Sequence, residues 1–179
     1  MLRALCRAYV ARFERDWNYE AGYMRDLIEV SPFTFAKFAV LTRLVPRRAA
    51  PGEALAAAGL VGTLVDDCGP CTQIGIDIAE RGGARPAVLR AILAGDEAGM
   101  GENAALGYGF ARAVLDKRLE EADALRDEIV RRWGKKGLVA ISLALTSHAA
   151  GSSTPSAPRQ RSQASCTTSC ASATEPSIR

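Results

Sequence analysis

Residues 54–83 read ALAAAGLVGTLVDDCGPCTQIGIDIAERGG, and the fold turns on how this stretch is taken. Residues 54–65 are Ala- and Leu-rich, follow Pro51 and the early acid Glu53, and hold no turn signal, which predicts a helix. Asp66-Asp67-Cys68-Gly69-Pro70-Cys71 interrupts the apolar run. From Cys71 the spacing of Ile74 and Ile78 carries a helical face onward until Gly82-Gly83 ends it, as glycine ends helices. A helix, a cysteine pair and a second helix thus follow one another with no strand between them.

Working outward finds the same periodicity. Toward the N-terminus, Leu2, Leu5, Cys6, Tyr9, Val10, Phe13 and Trp17 recur at threes and fours and make one apolar stripe, with Arg3, Arg7, Arg12 and Glu14 on the other faces. A basic amphipathic helix can lie on a membrane, but packing against its own domain or a second subunit is the simpler expectation. Ser31-Pro32 is a helix start, a capping hydroxyl followed by proline at the first helical position, and Phe33, Phe35, Phe38, Ala39, Leu41 and Leu44 follow before Pro46 stops the run. Toward the C-terminus, Arg85-Pro86 opens a short helix with Val88, Leu89, Ile92 and Leu93 that Gly95 closes. Residues 103–119 predict another, buried through Leu106, Phe110, Val114 and Leu115. Residues 120–133 carry acids in front and Arg131-Arg132 behind, matching the helix dipole, and Gly134 stops them; 138–145 form a core helix bounded by Lys135-Lys136. Nowhere does period-two alternation persist, so the expected fold is all-α, one domain over residues 1–150.

Composition agrees with one soluble domain: 179 residues, 48% hydrophobic and 24% charged. The 23 Lys+Arg against 20 Asp+Glu leave +3, too near balance to imply a nucleic-acid partner. No run reaches the ~18–20 apolar residues of a membrane span, and the N-terminus lacks the apolar centre of a signal peptide, so no membrane partner and a cytoplasmic address are expected. After about Ser147 the character changes: residues 151–179 hold eight Ser, four Thr and Pro155, Pro158 and Pro176, with Ile178 the one large aliphatic side chain. Such a segment buries too little apolar surface to offset its ordering entropy, which predicts a disordered tail, a shifted reading frame or truncated end being its expected origin. Its Cys166 and Cys170 form a CxxxC pair on which no site is placed.

Of five cysteines and one histidine, Cys68-Gly69-Pro70-Cys71 carries the chemistry. Two thiols across the first turn of a helix lie close enough to close a disulfide with little backbone movement, and the helix's free N–H groups and positive dipole end stabilise a thiolate. Those are the requirements for dithiol–disulfide exchange, and Pro70 fits the first turn, where its missing N–H costs nothing. Two alternatives stand beside it: a structural zinc site, for which Cys166 and Cys170 would have to supply two further ligands, and two inert core cysteines. No metal or organic cofactor is required. Thioredoxins carry the same tetrapeptide after a β-strand, usually following tryptophan; here it follows a helix-like run and Asp67, so that scaffold does not apply. Asp66 and Asp67 adjoin the pair either as the base that takes a thiol proton or as helix-capping carboxylates. His148, alone at a helix end, reads as a residue serving the C-terminal end of the dipole.

An all-α chain with an acidic residue, CxxC and an apolar helix ending in Gly-Gly resembles the carboxymuconolactone decarboxylase-like superfamily, in particular its alkylhydroperoxidase D-like branch. The likeness covers roughly residues 13–149 and is best over 66–83 and the helix pair after it, with the Arg131-Arg132-Trp133-Gly134 turn. It implies a helical bundle assembled as trimers or hexamers, in which the cysteines reduce peroxide or exchange with a dithiol donor, helped by a glutamate and by a histidine four residues after the second cysteine. Cys68 and Cys71 match the pair; the histidine position falls on Gly75, and the glutamate has no clear counterpart, Glu53 lying upstream and Asp66 and Asp67 beside the pair. The resemblance favours Cys71 as the attacking thiol, thioredoxin-type logic Cys68. The expected function is a thiol-dependent peroxidase or disulfide reductase with a peroxide or disulfide substrate and a thiol reductant; the alternatives are a non-catalytic helical oligomerisation protein with a vestigial pair and a decarboxylase of the superfamily's other branch, which needs no cysteine pair.

Overall fold

A computed structural model describes residues 1–149, without the side chains of residues 43, 44 and 147–149. The expectations for the tail 151–179, Cys166 and Cys170 included, concern residues outside those described, as does the side chain of His148. The described residues are helical throughout, with no strand: α1 (Leu2–Trp17), α2 (Gly22–Val30), α3 (Pro32–Leu44), α4 (Gly52–Val65), α5 (Gly69–Arg81), α6 (Pro86–Ala94), α7 (Glu97–Met100), α8 (Glu102–Leu115) and α9 (Leu119–Ala149). The all-α expectation holds.

Local chemistry sets most of the boundaries. The Ser31 hydroxyl accepts the Thr34 N–H at 3.3 Å and Pro32 occupies the first turn, starting α3 as its sequence predicts. Gly95 closes α6 in the left-handed region, at φ 69°. Gly134 also leaves helical geometry (φ 69°, ψ 179°), but the chain re-enters a helix at once, so α9 is two helical segments joined at that residue. Residues 103–119 do not form one helix: α8 ends at Leu115, and Lys117 takes a positive φ of 58° before α9 begins. Two helices lacked a sequence signal strong enough to predict them. α2 has no side-chain cap; the Glu14 carboxylate of α1 instead accepts the Ala21 N–H and pairs with Arg25, each at 2.9 Å, a tertiary substitute for capping. α7 is a single turn begun by Asp96, whose carboxylate accepts the Gly99 N–H at 3.2 Å.

α4 is the axis of the larger part of the molecule. It is apolar on every side, the pattern of a helix surrounded by others. Ala54, Ala58 and Val61 pack on Leu106, Phe110 and Ala111 of α8 and on Ile129, Ala140, Ile141 and Leu145 of α9. Ala57 and Leu60 meet Val88, Leu89 and Ile92 of α6, with Met100 and Ala104 closing that second cluster. α1, α2 and α3 share their own core of Cys6, Val10, Ala21, Ile28 and Phe35, so the N-terminal stripe packs within the chain, although Leu2 and Leu5 stay exposed. Arg81, in the last turn of α5, joins the two parts: its guanidinium lies 3.9 Å over the Trp17 ring and donates to the Asp16 carbonyl at 2.9 Å, one of the free carbonyls at the end of α1.

Candidate functional site

The cysteine pair is placed by the way α4 ends. The Cys68 N–H donates to the Thr63 carbonyl at 3.1 Å and the Asp67 N–H to the Leu64 carbonyl at 3.2 Å, while Asp67 takes φ 50°. Those are the two bonds and the left-handed residue of a Schellman stop, with aspartate where glycine is commonest. Aspartate tolerates that conformation better than most side chains. The stop leads the chain directly into α5: Cys68 is the N-cap, Pro70 lies in the first turn, and the Cys68 carbonyl accepts the Thr72 N–H at 2.9 Å.

Cys68 and Cys71 are joined as a disulfide, with their Cα atoms 5.3 Å apart and both residues half-buried rather than sealed in the core. Closure across the first turn of α5 is the geometry their spacing predicts. The sulfurs sit where the first N–H groups of α5 have no intrahelical acceptor, and no acid occupies that first turn. The third thiol, Cys6, is buried and its Sγ meets the Pro32 carbonyl at 3.6 Å, which accounts for it as a packing residue.

The two aspartates beside the pair part company. Asp67 is exposed and serves the α4 stop through its backbone. Asp66, the C-cap of α4, is half-buried, and its Oδ2 is the one fully buried side-chain oxygen or nitrogen among the described residues that lacks a hydrogen-bond partner. A desolvated, unpartnered carboxylate oxygen costs free energy in folding unless something else draws on it. Neither carboxylate accepts a hydrogen bond from α5, so neither caps that helix.

Below the pair, the Thr72 hydroxyl meets Thr63 Oγ1 at 2.9 Å and the Cys68 carbonyl at 3.1 Å, and the buried Thr63 hydroxyl donates to the Leu60 carbonyl at 2.9 Å. These two threonines bolt α5 to α4 one turn from the sulfurs. Sequence reasoning missed them; a threonine just inside each of the two helix ends flanking the pair was the available signal.

Glu53 does not belong to the site. It stands in the first turn of α4, about 18 Å of helix away from Val65, and its carboxylate accepts Arg85 Nε at 2.8 Å and Nη2 at 3.1 Å; those bonds hold it below the usual carboxylate range. Gly75 is buried in α5, one turn after Cys71, and lines a cavity of about 220 Å³ shared with Val45, Arg47, Gly52, Leu55, Leu60, Ile78, Gly82 and Ala144. A side chain is absent where the resemblance places a histidine, and open space adjoins the position. No three His, Cys, Asp or Glu among the described residues are grouped to hold a metal ion, and no helix among them is long and apolar enough to cross a membrane. In comparisons with known proteins, the chain matched no family model, no curated protein and no solved structure.

Proposed function

We propose that this chain is a thiol-dependent oxidoreductase that cycles Cys68 and Cys71 between dithiol and disulfide, in the manner of the alkylhydroperoxidase D-like proteins it resembles. The observation that carries the reading is the pair itself: two half-exposed cysteines at the N-terminus of a 13-residue helix, already bonded, with a buried unpartnered carboxylate oxygen on Asp66 two residues before the first of them. One thiolate attacks a peroxide oxygen, breaking the O–O bond and releasing an alcohol or water; the second thiol displaces hydroxide from the resulting sulfenic acid and closes the disulfide. With a disulfide substrate the first attack gives a mixed disulfide, which the second thiol resolves. An external dithiol returns two electrons and two protons. Asp66 is the proton acceptor for the attacking thiol, a role Asp67 is too exposed to fill as well.

Purified protein tested for peroxide consumption and for disulfide reduction decides the matter. Wild-type chain turns over in at least one assay, Cys68→Ser and Cys71→Ser abolish it, and Asp66→Asn lowers it by about 100-fold, the size of a lost proton acceptor. Wild-type inactivity in both assays, with thiols titrating near the ordinary ~8.5, overturns the reading.

A second reading, a non-catalytic helical protein that assembles with copies of itself, is favoured by a different observation. Phe33, Val40 and Leu41 share one side of α3 and are 61%, 55% and 48% exposed. An apolar face of that kind is what self-association covers. The resemblance implies a trimer or hexamer, so assembly belongs to both readings, and only the activity assays separate them.

A further inference from the structure

We propose that the cavity between α4 and α5 is a subsite for a medium-length aliphatic chain carrying a carboxylate, with Arg47 as the residue that selects the charge. The inference rests on the oxidoreductase reading for the reacting group, and on the cavity alone for the chain. α4 and α5 meet at the corner around residues 66–68 and run back alongside each other. Leu60 and Gly75 lie near that corner, whereas Gly52 and Gly82 each stand thirteen residues from the adjoining helix end, so the slot extends roughly 10 Å along α5 from Gly75 to Gly82. Leu55, Leu60, Ile78 and Ala79 make its walls apolar. Its volume of about 220 Å³ holds about seven groups of water size, an aliphatic chain of comparable length.

The two ends of the slot differ in chemistry. Arg47, five residues before Gly52, lines it and is exposed, and no carboxylate among the described residues pairs with its guanidinium. At the other end Gly75 lies four residues after Cys71, on the same α5 face, with Ile78 and Gly82 continuing that face along the slot. A ligand whose carboxylate meets Arg47 therefore extends its far end toward the turn that carries Cys71. The guanidinium supplies a charge-assisted pair for a carboxylate and nothing for an alcohol. Gly75, having no side chain, puts only backbone into the lining of the slot.

For an eight-carbon hydroperoxide with a terminal carboxylate, the reaction balances as follows. The Cys71 thiolate takes the terminal oxygen, the O–O bond breaks, and the hydroxy acid leaves with one proton. Cys68 then attacks the sulfenic sulfur and expels hydroxide as water. The sum is two thiols and one hydroperoxide converted into one disulfide, one hydroxy acid and one water; an added dithiol reduces the disulfide again.

Titration of the full chain with octanoate and with octanol, by calorimetry and by amide chemical-shift mapping, tests the subsite without any turnover. Octanoate is expected to saturate at one site per chain, to shift the Gly75, Ile78 and Gly82 amides, and to bind about tenfold more tightly than octanol. Arg47→Gln brings octanoate down to the octanol level, while Arg90→Gln, an exposed arginine on α6, leaves the ratio unchanged. Gly75→Leu loses both ligands; should that variant fail to fold, the exposed Arg47 variant still decides. Equal binding of octanoate and octanol, an Arg47 variant that behaves as the Arg90 one, shifts elsewhere, or no binding overturns the subsite. Octanoate binding in the expected pattern by a chain that reduces no peroxide and no disulfide leaves the subsite standing and removes the oxidoreductase. Turnover without preference for the carboxylate-bearing hydroperoxide does the reverse.

Discussion

α4 offers two opposite faces built of the same small and aliphatic residues, and its neighbours use them differently. Toward α8 and α9 the stripe Ala54, Ala58 and Val61 is in tight contact: a Cβ added at Gly107 of α8 would land on the Ala54 carbonyl oxygen and Cα. On the side of α5, Leu55, Ala56 and Leu60 line a cavity of about 220 Å³ together with Gly75 and Gly82, Leu55 also touching the α8 and α9 cluster. Glycine does opposite work on the two sides. At Gly107 it lets two backbones approach, which stabilises through dispersion contacts; Gly75, one turn after Cys71, lines the cavity instead. The lesson is that small residues in a helix interface are not of themselves a packing device. What matters is how far the facing helix closes in: α5, held to α4 near the corner by Thr63 and Thr72 and at its far end to Trp17 by Arg81, packs Ile76 and Ala79 against the Ala57 and Leu60 cluster and leaves the cavity beside them.

Substitutions can break this contrast. Gly107→Ala should cost the most, about 3 kcal/mol, because the new methyl meets backbone, which cannot rotate away; calorimetric melting should fall by roughly 10 °C. A neutral result would show the α4–α8 crossing to be looser than described. Leu60→Ala should cost about 2 kcal/mol in urea unfolding, at the low end for a buried leucine, because one side of Leu60 already borders open space. Gly52→Ala, in the first turn of α4 and on the same cavity, should go the other way, stabilising by about 0.5 kcal/mol through helix propensity because an added Cβ there meets nothing within 4 Å, read as a higher urea midpoint at unchanged slope. A loss there comparable to that at Gly107 would erase the difference between the faces.

The smallest effect lies on the tightly packed side. Glu128 of α9 accepts from Arg131 and Arg132, bonds that pull its carboxyl down to about 2, and Arg132 in turn reaches Glu102 of α8 at 3.2 Å. Because the folded carboxyl titrates below the ordinary 4.5, its contribution is present above that value and fades as pH falls toward about 2. The groups are exposed, so the slope is shallow. Glu128→Gln should flatten the dependence of melting temperature on pH in that window and lower the melting temperature slightly at neutral pH, where the contribution is fully present.

How much of this was legible beforehand divides by the range of the interactions. Ser31-Pro32, Gly95 and Gly82-Gly83 act within one turn, and each marks a boundary of α3, α6 or α5 where the sequence puts it. α2 was hidden because its start is stabilised by Glu14, seven residues away on another helix. At the site, the pairing of Cys68 with Cys71 followed from spacing alone, since i and i+3 across a first helical turn place two sulfurs within bonding reach. The two aspartates looked equivalent in sequence. The turn distinguished them, giving Asp67 the left-handed backbone of the α4 stop and burying an oxygen of Asp66.

By itself, then, the sequence determined the all-α class, the cysteine pair and every helix but α2 and α7, though not every boundary, because hydrophobic period, capping and ring closure are local and short-range. Only the tertiary structure decided that Glu53 answers Arg85 and not the cysteines, that Thr63 and Thr72 join across the corner, and that Gly75 opens onto a slot with Arg47 at its rim. Each of those depends on which residues distant in sequence arrive beside one another, and a one-dimensional pattern does not encode that arrival until the helices are packed.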